Sequence, residues 1–417
     1  MKSLSALQQF GIITANNWAF TVTDGALRML VVFHFFQLGY TTLQIAFLFL
    51  FYEFFGILTN LYGGWLGARF GLKLTLWIGT LLQIAALLLL VPVADTWPKA
   101  MSVAWVMVAQ AISGIAKDVE KMSAKSAIRV VVPETPDDQA KGEQQLFRWV
   151  AILTGAKNGL KGLGFFVGGL LLYAVGFNKA VIVMAVWLAL AFLLTLLLPR
   201  DIGRMKSKPA FKALFSKSEG INVLSIARFF LFGARDVWFV VALPVFLQQA
   251  LGWRFWEVGG ALGLWVIGYG MVQGTAPSLR RAWGQTRPPG PSAVQFWAGL
   301  LSAIPALMAI TLWREVGNPG LTVVVGLAVF GVVFAMNSSI HSYMIMAYTE
   351  AEDVSLNVGF YYMANAAGRL AGTLLSGALF LVGGIQACLW ASAVMVGLAA
   401  LVSLRLPQPP RQLAPAT

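Results

Sequence analysis

The sequence predicts an all-α membrane protein with twelve transmembrane helices in two six-helix bundles. Three observations predict it together: too few charges for a water-facing surface, apolar runs of bilayer-spanning length from end to end, and one basic polar segment near the middle. Of 417 residues, 58% are hydrophobic and only 11% are charged, against about 25% charged in a soluble domain. The longest polar stretches, 133–143 and 199–220, are too short to bury a core of their own. The single cysteine, Cys388, excludes a disulfide framework, and two histidines, His34 and His341, are too few for a histidine metal cluster. No metal or other cofactor is expected.

A helix needs about 20 apolar residues to cross the hydrocarbon. Runs of that order lie near 11–37, 43–66, 74–94, 101–125, 146–174, 180–198, 222–250, 256–278, 293–313, 320–346, 356–380 and 384–405. Backbone polar groups in lipid must be satisfied within their own segment, so each run is read as a helix. The first run follows one lysine and lacks the small-residue cleavage pattern of a signal peptide, so it is read as a span.

Lys and Arg set the expected orientation. With the N-terminus inside, 18 of them fall in inside segments, and four, Lys99, Lys179, Arg254 and Arg314, fall outside. Both termini are therefore expected in the cytoplasm. The net charge of +13 is then a matter of topology and not a nucleic-acid footprint. The expected division is an N-terminal bundle over 1–198, a cytoplasmic basic linker over 199–221, and a C-terminal bundle over 222–417 ending in a short cytoplasmic tail. Weak echoes suggest that the halves repeat. Span one carries Asp24-Gly25-Ala26-Leu27-Arg28 and span seven Gly233-Ala234-Arg235-Asp236. Span five carries Gly159-Leu160-Lys161-Gly162 and span eleven Gly368-Arg369-Leu370-Ala371-Gly372.

Eight of the 30 basic residues fall within spans: Arg28, Lys117, Arg148, Lys157, Lys161, Arg228, Arg235 and Arg369. The acids read within spans are Asp24, Glu53, Asp118 and Asp236. A charge near the bilayer centre costs at least about 2.5–3.5 kcal/mol, so each must face a partner or a wet cavity. The cationic excess is naturally balanced by an anionic ligand. Lys157 and Lys161 are i,i+4 on one helical face and repel unless something negative lies between them. Asp24 and Arg28 share that spacing and can pair within their helix. Arg offers a planar fork for carboxylate or phosphate oxygens, and Lys a compact point charge. Arg28, Lys117, Lys157, Lys161, Arg235 and Arg369 are thus candidate substrate ligands, with Arg148, Lys117 and Arg228 open to the plainer reading of snorkelling at an interface. Asp24, Glu53 and Asp236 are candidates for proton coupling or for structural charge pairs. Glu53 has no cation nearby in sequence, which suits proton exchange or a partner on another helix.

The connection between spans two and three reads Gly64-Trp65-Leu66-Gly67-Ala68-Arg69-Phe70-Gly71-Leu72-Lys73. Its Gly64, Arg69, Gly71 and Lys73 resemble the conformational-gating loop of the major facilitator superfamily, with Ala68 where that family usually has Asp. The glycines of Gly159-Leu160-Lys161-Gly162-Leu163-Gly164 and of Val167-Gly168-Gly169 resemble the glycine motif of that superfamily's antiporters, with Phe165 replacing Pro. They also suit plain close packing of helices. Gln110 stands where many proton antiporters have Arg.

Longer strings carry a narrower resemblance. Asn17-Trp18-Ala19-Phe20-Thr21, Thr23-Asp24-Gly25-Ala26-Leu27-Arg28-Met29-Leu30, Phe51-Tyr52-Glu53-Phe54-Phe55-Gly56, Gly114-Ile115-Ala116-Lys117-Asp118 and Phe232-Gly233-Ala234-Arg235-Asp236-Val237-Trp238 look like the organoarsenical efflux permease (ArsJ) family. That resemblance implies a monomeric transporter of the bacterial inner membrane that exports 1-arseno-3-phosphoglycerate and confers arsenate resistance. It also implies a functional link to a glyceraldehyde-3-phosphate dehydrogenase that makes the substrate. The lipid bilayer is the expected surrounding partner and nucleic acid is not. Trivalent arsenic would call for thiolates, and only Cys388 is available. A proton-coupled drug or other organophosphate transporter is the alternative, since 15 Trp and 29 Phe allow an aromatic pocket. A membrane enzyme is disfavoured because no nucleophile–base pair, metal constellation or Walker motif occurs.

Overall fold

In a computed structural model, the described residues are 5–70, 72–94, 96–131, 139–199, 218–284, 289–348 and 354–408, with only the backbone described for most of 61–72, 121–131 and 139–156. The apolar runs form helices α1 (Ala6–Gln37), α2 (Thr42–Leu48), α3 (Leu50–Phe70), α4 (Leu72–Leu90), α5 (Lys99–Val131), α6 (Gln139–Val175) and α7 (Phe177–Thr195). The second half supplies α8 (Glu219–Phe239), α9 (Ala242–Leu251), α10 (Phe255–Ala282), α11 (Pro291–Trp313), α12 (Pro319–Ala347) and α13 (Val354–Ser403). No strand occurs among the described residues.

These helices resolve into the twelve expected crossings. Among the described residues eleven apolar stretches are long enough to span, and the last runs over Gly359–Ser403. At 1.5 Å per residue that is about 68 Å of helix, roughly twice the hydrocarbon thickness. It turns at Gly383 and Gly384, where Gly384 has φ +60°, so α13 holds spans eleven and twelve. Two expected spans are broken instead of continuous. Span seven parts between α8 and α9 because the ring of Pro244 cannot accommodate the carbonyl of Val240, four residues back. The amide of Ala242 at that break donates to Ser376 Oγ on α13 at 3.0 Å. Span two tightens at Phe49, whose amide bonds to Ala46 O at 3.1 Å, which separates α2 from α3.

Packing supports the internal repeat. In the first half α1 lies along α6, and in the second α8 lies along α13, so span one meets span five as span seven meets span eleven. The halves meet along two seams, α6 against α10 and α2–α3 against α13. A two-fold relation exchanges these seams, because it maps span five onto eleven and span two onto eight. The glycines of α6 serve both sides of that helix. A Cβ on Gly164 or Gly168 would collide with backbone of α1, at the carbonyls of Val22 and Ala26. A Cβ on Gly162 would collide with the carbonyl of Gly263 on α10. At the other seam, Thr42 Oγ1 donates to Gly377 O at 3.0 Å.

Lys73, from the expected gating loop, donates to the carbonyl of Leu198 and lies over the Trp77 ring at 4.7 Å. It ties the start of α4 to the segment after α7. The surroundings of Gly64, the side chains of Arg69 and Arg148, the whole of Gly71, and linker residues 200–217 lie outside the described residues.

Substituting Gly162 by Val should lower stability by about 1–3 kcal/mol, read as a lower unfolding temperature in detergent. Gly159→Ala should leave it unchanged or slightly raised, since nothing lies within 4 Å of a Cβ there.

Candidate functional site

The intramembrane charges converge where the halves meet. Arg28 points from α1 to α3, where its Nη2 donates to Glu53 Oε1 at 2.8 Å. Arg28 pairs with this neighbouring helix and not with Asp24 on its own. Asp24 instead accepts from the hydroxyl of Tyr52 at 2.6 Å. Consecutive residues of α3, Tyr52 and Glu53, thus engage two α1 residues one turn apart. Glu53 is fully buried, and its oxygen is shared: Arg369 of α13 donates Nη2 to the same Oε1 at 2.6 Å.

Arg369 continues the chain of pairs into the second half. Its Nε donates to Asp236 Oδ2 at 3.1 Å, and the other carboxylate oxygen, Oδ1, accepts from Arg235 Nε at 2.6 Å. The result is a five-member ladder, Arg28–Glu53–Arg369–Asp236–Arg235, with three cations and two anions. Asp236 thus pairs with Arg235 beside it on α8, and Glu53 with arginines of two other helices. Glycines bring the rungs close. A Cβ on Gly372 would collide with Gly233 backbone and lie 3.1 Å from the Asp236 Cβ, and one on Gly368 would collide with Phe229 backbone.

One face of the ladder lines a cavity of about 60 Å³. Arg28 and Lys161 stand on its first-half side, and Arg235 and Asp236 on the other. Three cations thus face a single carboxylate that is already engaged by two arginines. Phe165, Phe239 and Trp265 form apolar wall, and Asn158 and Tyr269 add polar groups. Ligand pockets usually measure about 300–1,000 Å³, so the walls contributed by α1, α6, α8 and α10 must part before an organic anion fits. The chemistry on offer is charge-assisted binding of oxyanion oxygens in a water-poor enclosure.

Other sequence-predicted residues lie around this cavity and not on its wall. Lys117 stacks its ammonium on the Tyr52 ring at 3.9 Å, at the edge of the ladder. Lys157 is exposed, one turn from the cavity-lining Lys161. Asp118 accepts from the Thr59 hydroxyl at 3.0 Å. Sequence reasoning missed Asn158, Trp265 and Tyr269, whose neutral side chains give no periodic signal. It also missed Glu120 at the end of span four, 1% exposed, whose Oε1 accepts from Asn16 Nδ2 at 3.1 Å and whose Oε2 has no partner. Glu120 lies within the expected fourth span, directly before Lys121, and is absent from the acids read there. No group of three or more His, Cys, Asp or Glu suited to a metal occurs among the described residues.

Replacing Glu53 and Arg369 by Gln, singly and together, should give strongly non-additive stabilities. Glu53→Gln strands Arg28 and should cost about 3–5 kcal/mol, whereas Arg369→Gln leaves Glu53 with Arg28 and Asp236 with Arg235 and should cost less. The double change should recover part of that loss, with a coupling energy of roughly 0.5–3 kcal/mol in a double-mutant cycle.

The fold and the family agree. The chain is similar to crystal structures of a bacterial homologue of the iron transporter ferroportin. In the outward-facing state the TM-score is 0.67 at 14% identity, covering 95% of this chain and 99% of that one. In the inward-facing state it is 0.66 at 17% identity, covering 97% and 99%. No curated protein matches the chain. The family model described as Major Facilitator Superfamily matches residues 10–313, nearly three-quarters of the sequence, and the chain therefore belongs to the major facilitator superfamily.

Proposed function

We propose that this secondary transporter exports a phosphorylated organic anion, with 1-arseno-3-phosphoglycerate as the cargo and arsenate resistance as the outcome. The observation that carries the anion reading is the cavity wall, where Arg28, Lys161 and Arg235 face one already paired carboxylate. That wall repels a metal cation such as the iron named for the ferroportin homologues, and lipophilic cations with it. The arsenic identity rests on the sequence resemblance, with a glyceraldehyde-3-phosphate dehydrogenase as the source of substrate, and the same resemblance supports the bacterial inner membrane. The lysine and arginine distribution supports cytoplasmic termini.

Outward export driven by protons needs a carboxyl that can release and take up a proton. Glu53 and Asp236 each hold two arginines, so protonating either breaks two ion pairs. Among the described residues Glu120 is held by neutral groups instead: Asn16, which also donates to Thr80 Oγ1 on α4, donates to it, and Gly79 of α4 lies beside it. We assign it the coupling role.

Arsenate tolerance of a sensitive host should rise only when this chain and the dehydrogenase are expressed together. Tolerance from the transporter alone, or resistance to lipophilic cations instead, would refute the substrate. In everted vesicles, Lys161→Gln combined with Arg235→Gln should cut uptake of labelled 3-phosphoglycerate about tenfold or more. Glu120→Gln should leave binding intact and remove the dependence of uptake on an imposed pH gradient.

A further inference from the structure

A second cationic site lies in the C-terminal half, behind the wall of the cavity. Arg228 on α8 is 4% exposed, and no ion pair joins it to a carboxylate among the described residues. Its Nη1 donates to Ser338 Oγ on α12 at 3.1 Å, and its Nε has no partner. The guanidinium lies 3.9 Å from the centre of the Phe232 ring and 5.0 Å from that of Tyr361. The rings offset part of the cost of burial, yet they satisfy none of the N–H donors. Polar groups without partners gather on the same helices. Asn337 is fully buried with both amide atoms unpaired, and His341, one turn along α12, is 1% exposed with Nδ1 unpaired. His341 lies within reach of the Arg228 charge. Ser225, one turn before Arg228 on α8, is 2% exposed, and its hydroxyl has no partner.

Buried polar groups nearly always find partners, and this set shares one missing component. A guanidinium, an amide, hydroxyls and an imidazole, with no acid among them, are the donors that surround an oxyanion. The site also communicates with the cavity. The hydroxyl of cavity-lining Tyr269 lies 3.3 Å from Ser338 Oγ. Gln273 approaches the same oxygen at 3.5 Å and accepts from cavity-lining Asn158 at 3.3 Å. Arg235 lies over the Phe232 ring too, at 4.8 Å, so the two guanidinium groups share one ring.

We propose that Arg228, Asn337, Ser338 and His341 form a second oxyanion subsite, which takes one charged end of a substrate whose other end lies against Lys161 and Arg235. This rests on the anion reading above and narrows it to small organic molecules carrying two oxyanion groups.

The test is binding to the purified full-length protein in detergent, with 3-phosphoglycerate as the two-ended probe and glycerol 3-phosphate as the one-ended probe. Arg228→Gln should weaken 3-phosphoglycerate about tenfold and leave glycerol 3-phosphate within about twofold. Asn337→Ala, which keeps the guanidinium and its aromatic stack, should weaken 3-phosphoglycerate selectively as well, and it decides the matter alone if the arginine variant fails to fold. Binding of both probes that is unchanged, or equally weakened, in the folded variants would overturn the subsite while leaving the anion reading in place. Wild-type protein that binds neither probe would overturn both. Phosphatidylglycerol carries a similar oxyanion; displacement of 3-phosphoglycerate by that lipid in wild type but not in Asn337→Ala would assign the site to a headgroup and overturn the proposal.

Discussion

Arg369 is the residue on which the two halves agree. Its guanidinium donates to Glu53 in the first half and to Asp236 in the second, and each of those carboxylates also holds another arginine. Neither carboxylate can leave without stranding an arginine in a region where an unpaired charge is costly, and Arg369 cannot leave without cutting the link between the halves. The ladder therefore holds the halves in register at mid-depth, and it also orients Arg28 and Arg235 toward the cavity. Binding and closure use the same groups. An anion that draws Arg28 and Arg235 toward itself competes with Glu53 and Asp236 for them, and so acts on the contact that spans the halves.

Glycine makes that geometry possible. Five buried charges can meet only if their helices come close enough for side chains to reach across. Gly368 and Gly372 bring α13 against α8 beside Arg369, and Gly164 and Gly168 bring α6 against α1 beside Lys161. The same chemistry thus serves each half: a glycine-lined helix presents one long cation at the centre. This is the structural content of the faint echo between Lys161-Gly162 and Gly368-Arg369.

Much of this was legible in the sequence, and the gaps have physical causes. Span positions followed from apolar length, because lipid leaves the backbone no alternative to the helix. The intramembrane cations stood out for the same reason. Partner choice was harder to see. Glu53 looked isolated because its cations are 25 and 316 residues away, and Asp24 and Arg28 invited an intrahelical pair that packing against α3 replaces. The break in span seven could have been inferred from Pro244, but its consequence, an amide capped by Ser376, depends on a helix more than a hundred residues further on. Glu120 lies inside the expected fourth span and directly before Lys121, and only its burial against Asn16 sets it apart. Arg228 was visible as a charge, though nothing near it in sequence foretold Asn337 and His341.

The α6–α10 seam has a mechanical consequence. Where Gly162 faces Gly263, and again where Gly169 meets Phe255 and Gly259 meets Phe165, backbone approaches backbone, with few side chains between. Interdigitated side chains resist rotation because each must leave its hole and find another, and such interfaces switch between discrete arrangements. A contact between two bare backbones has no such teeth. It can roll through small angles while keeping its closeness, as a plain bearing does. Resistance to motion is then concentrated in the charge ladder and in the contacts at the ends of the bundle, and the seam beside the substrate is left to turn.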